Sequence, residues 1–134
     1  MSAGFDVRTR TIAVIDDVRV LELLVNLLVS FGYKADKYQS AEQFLESGEL
    51  AKMNCIVTDV KMQHMSGLGL LQCLKNRNSD VPVVIITGRS SDRSESFYLK
   101  KGAAGFFRKP VDSNTLLDLA GSLCGHAHSE PSRF

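Results

Sequence analysis

Long apolar runs and a dominant sign of charge are both missing from this 134-residue chain. No segment approaches the roughly 18 apolar residues of a membrane-spanning helix, and the opening stretch MSAGFDVRTR lacks the apolar core of a signal peptide. The formal net charge is +1, which gives no general attraction to nucleic acid or to an anionic membrane. We therefore expect a cytoplasmic protein that binds no membrane and, through this domain, no nucleic acid.

Cysteine is scarce as well. The three cysteines, Cys55, Cys73 and Cys124, lie in apolar periodic segments and do not have the spacing of metal ligands. Their odd number argues against a disulfide framework. We interpret them as reduced residues of the core.

Short apolar runs alternate with amphipathic segments along the whole chain. Five runs predict strands: TIAVI (11–15), YKADKY (33–38), CIVTD (55–59), VPVVIIT (81–87) and AGFFRK (104–109). Between and after them, apolar residues recur at steps of three and four, which is typical of helices, although the serine-rich fourth helix (91–101) is weakly specified. This (βα)5 pattern predicts an α/β domain with a parallel sheet covered by helices on both faces.

Polar residues stand where the predicted strands end. Strand one ends in Asp16 and Asp17, strand three in Asp59, strand four in Thr87 and strand five in Lys109. Open sheets of this class bind ligands beyond the carboxyl ends of their strands. The pattern therefore predicts that three acids, a hydroxyl and an amine converge at one edge.

The chemistry that these groups permit is narrow. Clustered carboxylates repel one another unless a cation joins them, and Mg²⁺ suits such oxygen ligands while keeping its waters for a phosphate. Thr87, Lys109 and the adjacent Gly88 suit a phosphoryl oxygen. The chain has no Walker sequence, no GxGxxG after the first strand and no Ser/His/Asp set. A carboxylate can itself be the nucleophile, and Asp59 is the candidate.

With these residues in these places, the sequence resembles the receiver domain of bacterial two-component response regulators, and within that family it looks most like the FixJ-type subgroup. Five segments carry the resemblance in order: VIDD, VTDVKM, MSGLGLL, VIITG and GFFRKP. The resemblance implies a flavodoxin-like sheet of order 2-1-3-4-5. It implies a receiver domain over residues 10–125, after an N-terminal extension (1–9) and before a flexible tail (126–134).

The resemblance also implies a magnesium site. In this family pattern Asp17 and Asp59 would coordinate Mg²⁺ directly, Asp16 would act mainly through a bound water, and the backbone carbonyl of Lys61 would complete the protein ligands. Asp59 would accept a phosphoryl group from a sensor histidine kinase or a phosphotransfer protein.

The remaining roles follow from the same resemblance. Thr87 and Lys109 would grip phosphoryl oxygens, and Phe106 would be the switch aromatic, with a plain core role as its alternative. Lys61 and Arg89 border the path of the hydrolytic water and would tune the lifetime of the phosphoryl group. The peptide bond after Lys109 is expected to be cis.

The predicted function is a phosphorylation-dependent signalling switch rather than a turnover enzyme. Its only chemistry would be self-catalysed phosphoryl transfer and autodephosphorylation. The signal would leave through the face of the fourth helix, fifth strand and fifth helix, to a transcriptional or other partner or to a second copy of the chain. Two alternatives remain: a receiver-like binding module that needs no phosphate, and a small aspartyl phosphatase. The phosphatase would need a second acid two residues after its nucleophile, where this chain has Lys61.

Overall fold

Strands and helices alternate along the chain. The structure is a computed structural model that describes residues 10–15, 22–60, 66–88 and 94–124. Within these ranges the elements are β1 (Thr11–Ile15), α1 (Glu22–Ser30), β2 (Lys34–Tyr38), α2 (Ala41–Ser47), a 3₁₀ turn (Leu50–Lys52), β3 (Cys55–Asp59), α3 (Gly67–Asn76), β4 (Val83–Thr87), α4 (Glu95–Lys100), β5 (Gly105–Arg108) and α5 (Ser113–Cys124). None of these helices combines the length and the apolar character needed to cross a bilayer.

The strands form one parallel sheet of order β2-β1-β3-β4-β5, which confirms the predicted topology. The chain starts in the middle at β1, adds β2 on one side and then returns past β1 to build β3, β4 and β5. The order therefore reverses between β1 and β3. The register pairs Ile15 with Thr58 across this point, so the carboxyl ends of the two strands are level.

Alternate side chains of the sheet enter two separate apolar layers. The residues of β1, β3 and β4 are almost all buried, so both faces of these strands are covered. One layer lies under α2, α3 and α4 and includes Phe44, Leu70 and Tyr98. The other lies under α1 and α5 and includes Leu28 and Leu116. β2 is at the edge and is only partly buried, in keeping with its polar sequence.

Local chemistry sets several element boundaries. Gly32, at a φ of 95°, ends the turn after α1, and the hydroxyl of Ser40 caps α2 by accepting from the Gln43 N–H at 3.0 Å. β4 begins at Val83 rather than at the predicted position 81, because Pro82 has no N–H to offer a ladder. The Pro82 carbonyl still accepts from the Ile56 N–H at 2.9 Å.

Candidate functional site

Three of the predicted site residues lie together at the carboxyl edge of the sheet. Asp59 is the last residue of β3 and Thr87 the last of β4, while Lys109 follows the end of β5. Because these strands are adjacent and parallel, their ends meet at the same edge. Asp59 and Thr87 are 6% and 1% exposed, so the carboxylate and the hydroxyl are withdrawn from bulk water.

The buried carboxylate of Asp59 is paired with an amine. The Nζ atom of Lys109 lies 2.7 Å from Oδ2 of Asp59, and the Lys109 side chain is 25% exposed. Burial of a charge is costly unless an opposite charge and hydrogen bonds compensate it, and this contact supplies both. The sheet holds the acid in place, because the next residue, Val60, donates its N–H to the Ile86 carbonyl at 3.0 Å.

Lys109 is directed at the site by the backbone around it. Its N–H donates to the Thr87 carbonyl at 2.8 Å, which extends the pairing of β4 and β5 by one residue. The Lys109–Pro110 peptide bond is cis, which confirms the prediction.

Thr87 presents its hydroxyl next to a small residue. Its Oγ1 atom donates to the Gly88 carbonyl at 3.3 Å, a long contact for a hydroxyl donor. A Cβ atom built on Gly88 meets nothing within 4 Å, so there is open space beside the Gly88 Cα atom. A hydroxyl held this weakly can exchange its acceptor for an oxygen of a bound group at little cost.

Phe106 lies on the same face of the sheet as Thr87. It pairs in register with Ile85, two residues before Thr87 on β4. Its ring stacks on Tyr98, with the centroids 5.4 Å apart and the planes at 16°. The neighbouring Phe107 packs into the opposite layer, under α1 and α5. Of the two rings, only Phe106 therefore lies on the same face as Thr87, where it can respond to a movement of the Thr87 side chain.

Tyr98 packs against Phe106, and the sequence pattern did not predict this contact. It is the one buried residue of α4, at 5% exposure, so its stacking on Phe106 anchors that helix to the sheet. The weak helical pattern around it concealed its role, because Phe97, Tyr98 and Leu99 are consecutive and do not mark one face of a helix.

Gly67 is a second residue whose role only the structure reveals. A Cβ atom at this position would lie 2.9 Å from the Asp59 carbonyl oxygen and 3.1 Å from the Val60 Cα atom. The Gly67 N–H also donates to the Val60 carbonyl at 3.1 Å. The first residue of α3 must therefore be glycine for the helix to begin directly against the end of β3.

Four of the predicted site residues have no described position in the structure. Asp16, Asp17, Lys61 and Arg89 lie outside the described residues. Within the described ranges, no group of three His, Cys, Asp or Glu side chains could hold a metal ion.

The described part of the site is nevertheless compatible with a magnesium ion. Asp59 is a hard oxygen donor at the strand end, and Ile15, the last described residue before Asp16, is paired in register with Thr58. The predicted ligands beyond Ile15 and after Asp59 are the carboxylates of Asp16 and Asp17 and the backbone carbonyl of Lys61. Oxygen ligands of this kind are those that Mg²⁺ takes.

Comparison with known proteins decides the family. The family model for the response regulator receiver domain matches residues 12–120. This chain belongs to the response regulator receiver domains. It is 38% identical to the transcriptional regulatory protein FixJ of Azorhizobium caulinodans over 102 residues, which is 76% of the chain and 48% of that protein. It is 34% identical to the response regulator TodT of Pseudomonas putida, again over 76% of the chain and over 45% of that protein.

Solved receiver structures share the fold. The FixJ receiver domain superposes with a TM-score of 0.76 at 27% identity, covering 90% of this chain and 98% of that one. Full-length FixJ from B. japonicum gives a TM-score of 0.77 at 31% identity and covers 91% of this chain and 60% of that one. This receiver domain spans about half the length of the curated relatives it matches. The likeness to the FixJ group confirms the predicted subgroup.

Membership of this family indicates the general kind of partner, metal ion and chemistry. Receiver domains are components of two-component signalling that interact with histidine kinases or phosphotransfer partners, and they generally bind Mg²⁺ at an acidic pocket. They are not conventional enzymes.

Proposed function

We propose that this receiver domain is a signalling switch operated by phosphorylation of Asp59. The observation that carries the proposal is the contact of 2.7 Å between Lys109 Nζ and the buried Asp59 carboxylate, with the buried Thr87 hydroxyl at the end of the strand between them. The phosphoryl donor would be a histidine kinase or a phosphotransfer protein. The proposed receiver domain covers residues 10–125, with an extension before it (1–9) and a flexible tail after it (126–134).

In the proposed reaction a carboxylate oxygen of Asp59 attacks phosphorus and displaces the imidazole nitrogen of the donor. The product is an acyl phosphate, and the electron pair of the broken P–N bond stays with the imidazole. Burial at 6% exposure restricts the access of water to the carboxylate and to its product. Pairing of Asp59 with Ile86 of β4 holds the backbone that carries the attacking carboxylate.

Lys109 and Thr87 would stabilise the charge on the transferred group. The Lys109 amine already lies at hydrogen-bond distance from Asp59, so a small movement brings it to a phosphoryl oxygen. The Thr87 hydroxyl would leave the Gly88 carbonyl and donate to a second phosphoryl oxygen. Both groups act without large rearrangement of the sheet, as electrostatic catalysis requires.

Asp17, Asp59 and the Lys61 carbonyl would hold Mg²⁺ directly, with Asp16 acting through a water. When bound, the ion would neutralise negative charge shared by the carboxylates and the incoming phosphoryl group. Lys61 and Arg89 would border the path of the water that hydrolyses the acyl phosphate, and so set its lifetime.

The output would pass from Thr87 to Phe106. Movement of Thr87 toward phosphate opens space on the face that it shares with Phe106, and Phe106 would move into it. Because Phe106 stacks on Tyr98, the anchor of α4, its movement would change how α4 packs. The surface of α4, β5 and α5 would then contact a partner or a second copy of the chain. The net charge of +1 gives no general attraction to nucleic acid, so we propose a protein partner. We also propose that the switch acts in the cytoplasm, together with its kinase.

Phosphorylation with a small donor tests the proposal. Incubation with Mg²⁺ and acetyl phosphate should add one phosphoryl group to the wild-type protein, measured by intact-protein mass spectrometry, and none to Asp59→Asn. Asp118→Asn, which alters an exposed aspartate of α5, is the matched control and should gain the same mass as wild type. Absence of the gain in wild type would instead support a binding module that works without phosphate.

A further inference from the structure

Arg108, the last residue of β5, lies next to two residues of the proposed switch. It is paired in register with Thr87 of β4, and Phe106 is paired with Ile85. Residues two apart on a strand point to the same face, so Arg108 shares with Phe106 the face that packs against the layer under α4. Arg108 therefore lies beside Thr87 and directly follows Phe106 along this face.

The guanidinium of Arg108 lies over the ring of Phe106. Its Cζ atom is 5.2 Å from the ring centroid. A cation within about 6 Å of a ring centroid is attracted by the negative charge of the ring face. Arg108 is exposed, so its side chain is free to extend into water, yet the guanidinium rests on the ring. Phe106 is therefore restrained by a cation from its own strand.

Phe106 has a second restraint, which comes from α4. The ring of Tyr98 stacks on it, with 5.4 Å between the centroids and 16° between the planes. Tyr98 is buried, whereas Phe106 is half-buried. We call this arrangement, with the ring stacked on Tyr98 and in contact with the guanidinium of Arg108, the outer position of Phe106.

The proposed switch requires the ring to leave the outer position. Its inner position is the space beside Thr87 that opens when the Thr87 side chain moves toward the phosphoryl group. Arg108 belongs to the edge strand β5 and its side chain is exposed, so a ring that moves inward separates from the guanidinium. The contact between Arg108 and Phe106 therefore favours the outer position over the inner one.

We propose that Arg108 is a positioning residue that holds Phe106 in its outer position and so opposes the switch until Asp59 is phosphorylated. This inference rests on the proposed function and adds to it a restraint on the resting state. An exposed contact of this kind changes an equilibrium constant by about two- to fivefold. Loss of the contact should shift Phe106 toward the inner position by that factor, even without phosphate.

The same shift should speed phosphorylation. In the proposed reaction the Thr87 hydroxyl must reach a phosphoryl oxygen, and the movement of Thr87 accompanies the inward movement of Phe106. When only a fraction of the molecules is competent to react, the observed rate follows that fraction. Removing the restraint raises the fraction, so Asp59 should react faster with a small phosphoryl donor.

A direct electrostatic role for Arg108 predicts the opposite result. Arg108 is adjacent in sequence to Lys109, and a cation near the site attracts a negatively charged donor. If Arg108 acted in this way, removing its charge would slow phosphorylation. The direction of the change therefore separates a restraint on Phe106 from attraction of the donor.

Arg108→Met tests the restraint, because methionine keeps an unbranched apolar side chain and removes the charge. The initial rate of phosphorylation by acetyl phosphate and Mg²⁺ is followed by intact-protein mass spectrometry. We expect a rate about two- to fivefold above wild type. Arg108→Lys, which keeps a cation, should lie closer to wild type than Arg108→Met does. An equal or lower rate for Arg108→Met would overturn the proposal.

Lys101→Met is the matched control for this rate. The Nζ atom of Lys101 lies 5.6 Å from the centroid of Phe97, in a contact of the same kind that does not involve Phe106. Lys101→Met should therefore be phosphorylated at the wild-type rate. The same acceleration in Lys101→Met and Arg108→Met would overturn a specific role for Arg108.

The effect must also depend on the ring. Phe106→Leu keeps an apolar side chain but removes the aromatic face, so adding Arg108→Met to Phe106→Leu should leave the rate of the single Phe106→Leu variant unchanged. Residues that act through one another are not additive in this way. A full acceleration by Arg108→Met in the Phe106→Leu background would show that Arg108 acts without the ring and would overturn the proposal.

Amide hydrogen exchange without phosphate separates this inference from the proposed function. In unphosphorylated Arg108→Met the amides of α4 should exchange about two- to fivefold faster than in wild type, because Tyr98 loses its stacking partner in more of the molecules. Amides of α1, on the opposite face of the sheet, are the internal reference. If wild type takes up no phosphate but Arg108→Met still speeds exchange in α4, the proposed function fails and the restraint stands. Unchanged exchange in α4 would overturn the restraint.

Discussion

The Nζ atom of Lys109 lies 2.7 Å from Oδ2 of Asp59, although 50 residues separate the two in sequence. The amine comes from the end of β5 and the acid from the end of β3, with β4 between them. This one contact therefore joins the end of β5, an edge strand, to the end of β3 in the middle of the sheet. It compensates the buried carboxylate and places a mobile cation where phosphate is proposed to arrive.

This ion pair should contribute to stability without magnesium. Replacing Lys109 with Met leaves the buried Asp59 without its cation, and we expect a loss of about 1 to 2 kcal/mol in the free energy of unfolding, less than for a fully buried pair because Lys109 is 25% exposed. Adding Asp59→Asn to Lys109→Met should recover most of the loss. Urea denaturation in EDTA measures both.

The exposed pair of Lys52 and Glu49 is the control for this cycle. Their charged atoms lie 3.2 Å apart, but the Lys52 side chain is 72% exposed. Lys52→Met should therefore change the free energy of unfolding by less than about 0.5 kcal/mol. Equal losses for Lys52→Met and Lys109→Met would show that the Asp59 contact contributes nothing particular.

Gly67 should be intolerant of a methyl group. In Gly67→Ala the new Cβ meets backbone atoms of Asp59 and Val60, which cannot move aside as a side chain can. We expect a loss of about 1 to 3 kcal/mol in the free energy of unfolding. Gly88→Ala, whose Cβ meets nothing within 4 Å, is the matched control and should unfold close to wild type. Similar urea midpoints for the two variants would contradict the close approach of α3 to β3.

Phe106 should carry the signal and Phe107 should not. Phe106→Ala removes the ring that stacks on Tyr98, so phosphorylation should no longer alter amide hydrogen exchange in α4. Phe107→Ala removes a similar half-buried ring from the opposite layer and should keep the response. Hydrogen-exchange mass spectrometry with and without acetyl phosphate compares them. Loss of the response in both variants, or in neither, would exclude a specific role for Phe106.

Magnesium should stabilise the folded protein through the proposed acidic ligands. A ligand that binds only the native state adds about 2.7 kcal/mol when its concentration is 100 times its dissociation constant. Mg²⁺ should therefore raise the urea midpoint of wild type, and Asp17→Asn should abolish most of the increase. Asp118→Asn is again the control and should respond like wild type. An undiminished response of Asp17→Asn would place the ion elsewhere.

The lifetime of the acyl phosphate should depend on Lys61 and Arg89. We expect these long basic side chains to shield the acyl phosphate, and neither can act as a base for water while protonated. The variants Lys61→Asn and Arg89→Glu should each speed loss of phosphate, and together by about tenfold if the barrier falls by about 1.4 kcal/mol. Dephosphorylation is followed at fixed Mg²⁺. A double variant that keeps its phosphate as long as wild type would disprove shielding.

Periodicity and local chemistry were enough to predict the order of elements and a parallel sheet, whereas the strand order 2-1-3-4-5 was predicted from the family resemblance. Five apolar runs separated by amphipathic segments admit few arrangements other than a parallel sheet with helices on both faces, and the structure confirms it. Helix boundaries also follow local chemistry: Ser40 caps the start of α2, and Gly32, with its positive φ, follows the end of α1. The gathering of Asp59, Thr87 and Lys109 at one edge was predictable for a related reason, because parallel strands must present their carboxyl ends together.

Contacts between segments distant in sequence depended on the tertiary structure alone. The stacking of Tyr98 on Phe106 and the approach of Gly67 to Asp59 join residues whose local patterns carry no sign of each other. A helix pattern shows which face is apolar, but not which side chain of the sheet that face will meet. Packing decides these pairs, because helix rotation and depth are set by the shapes of both surfaces at once.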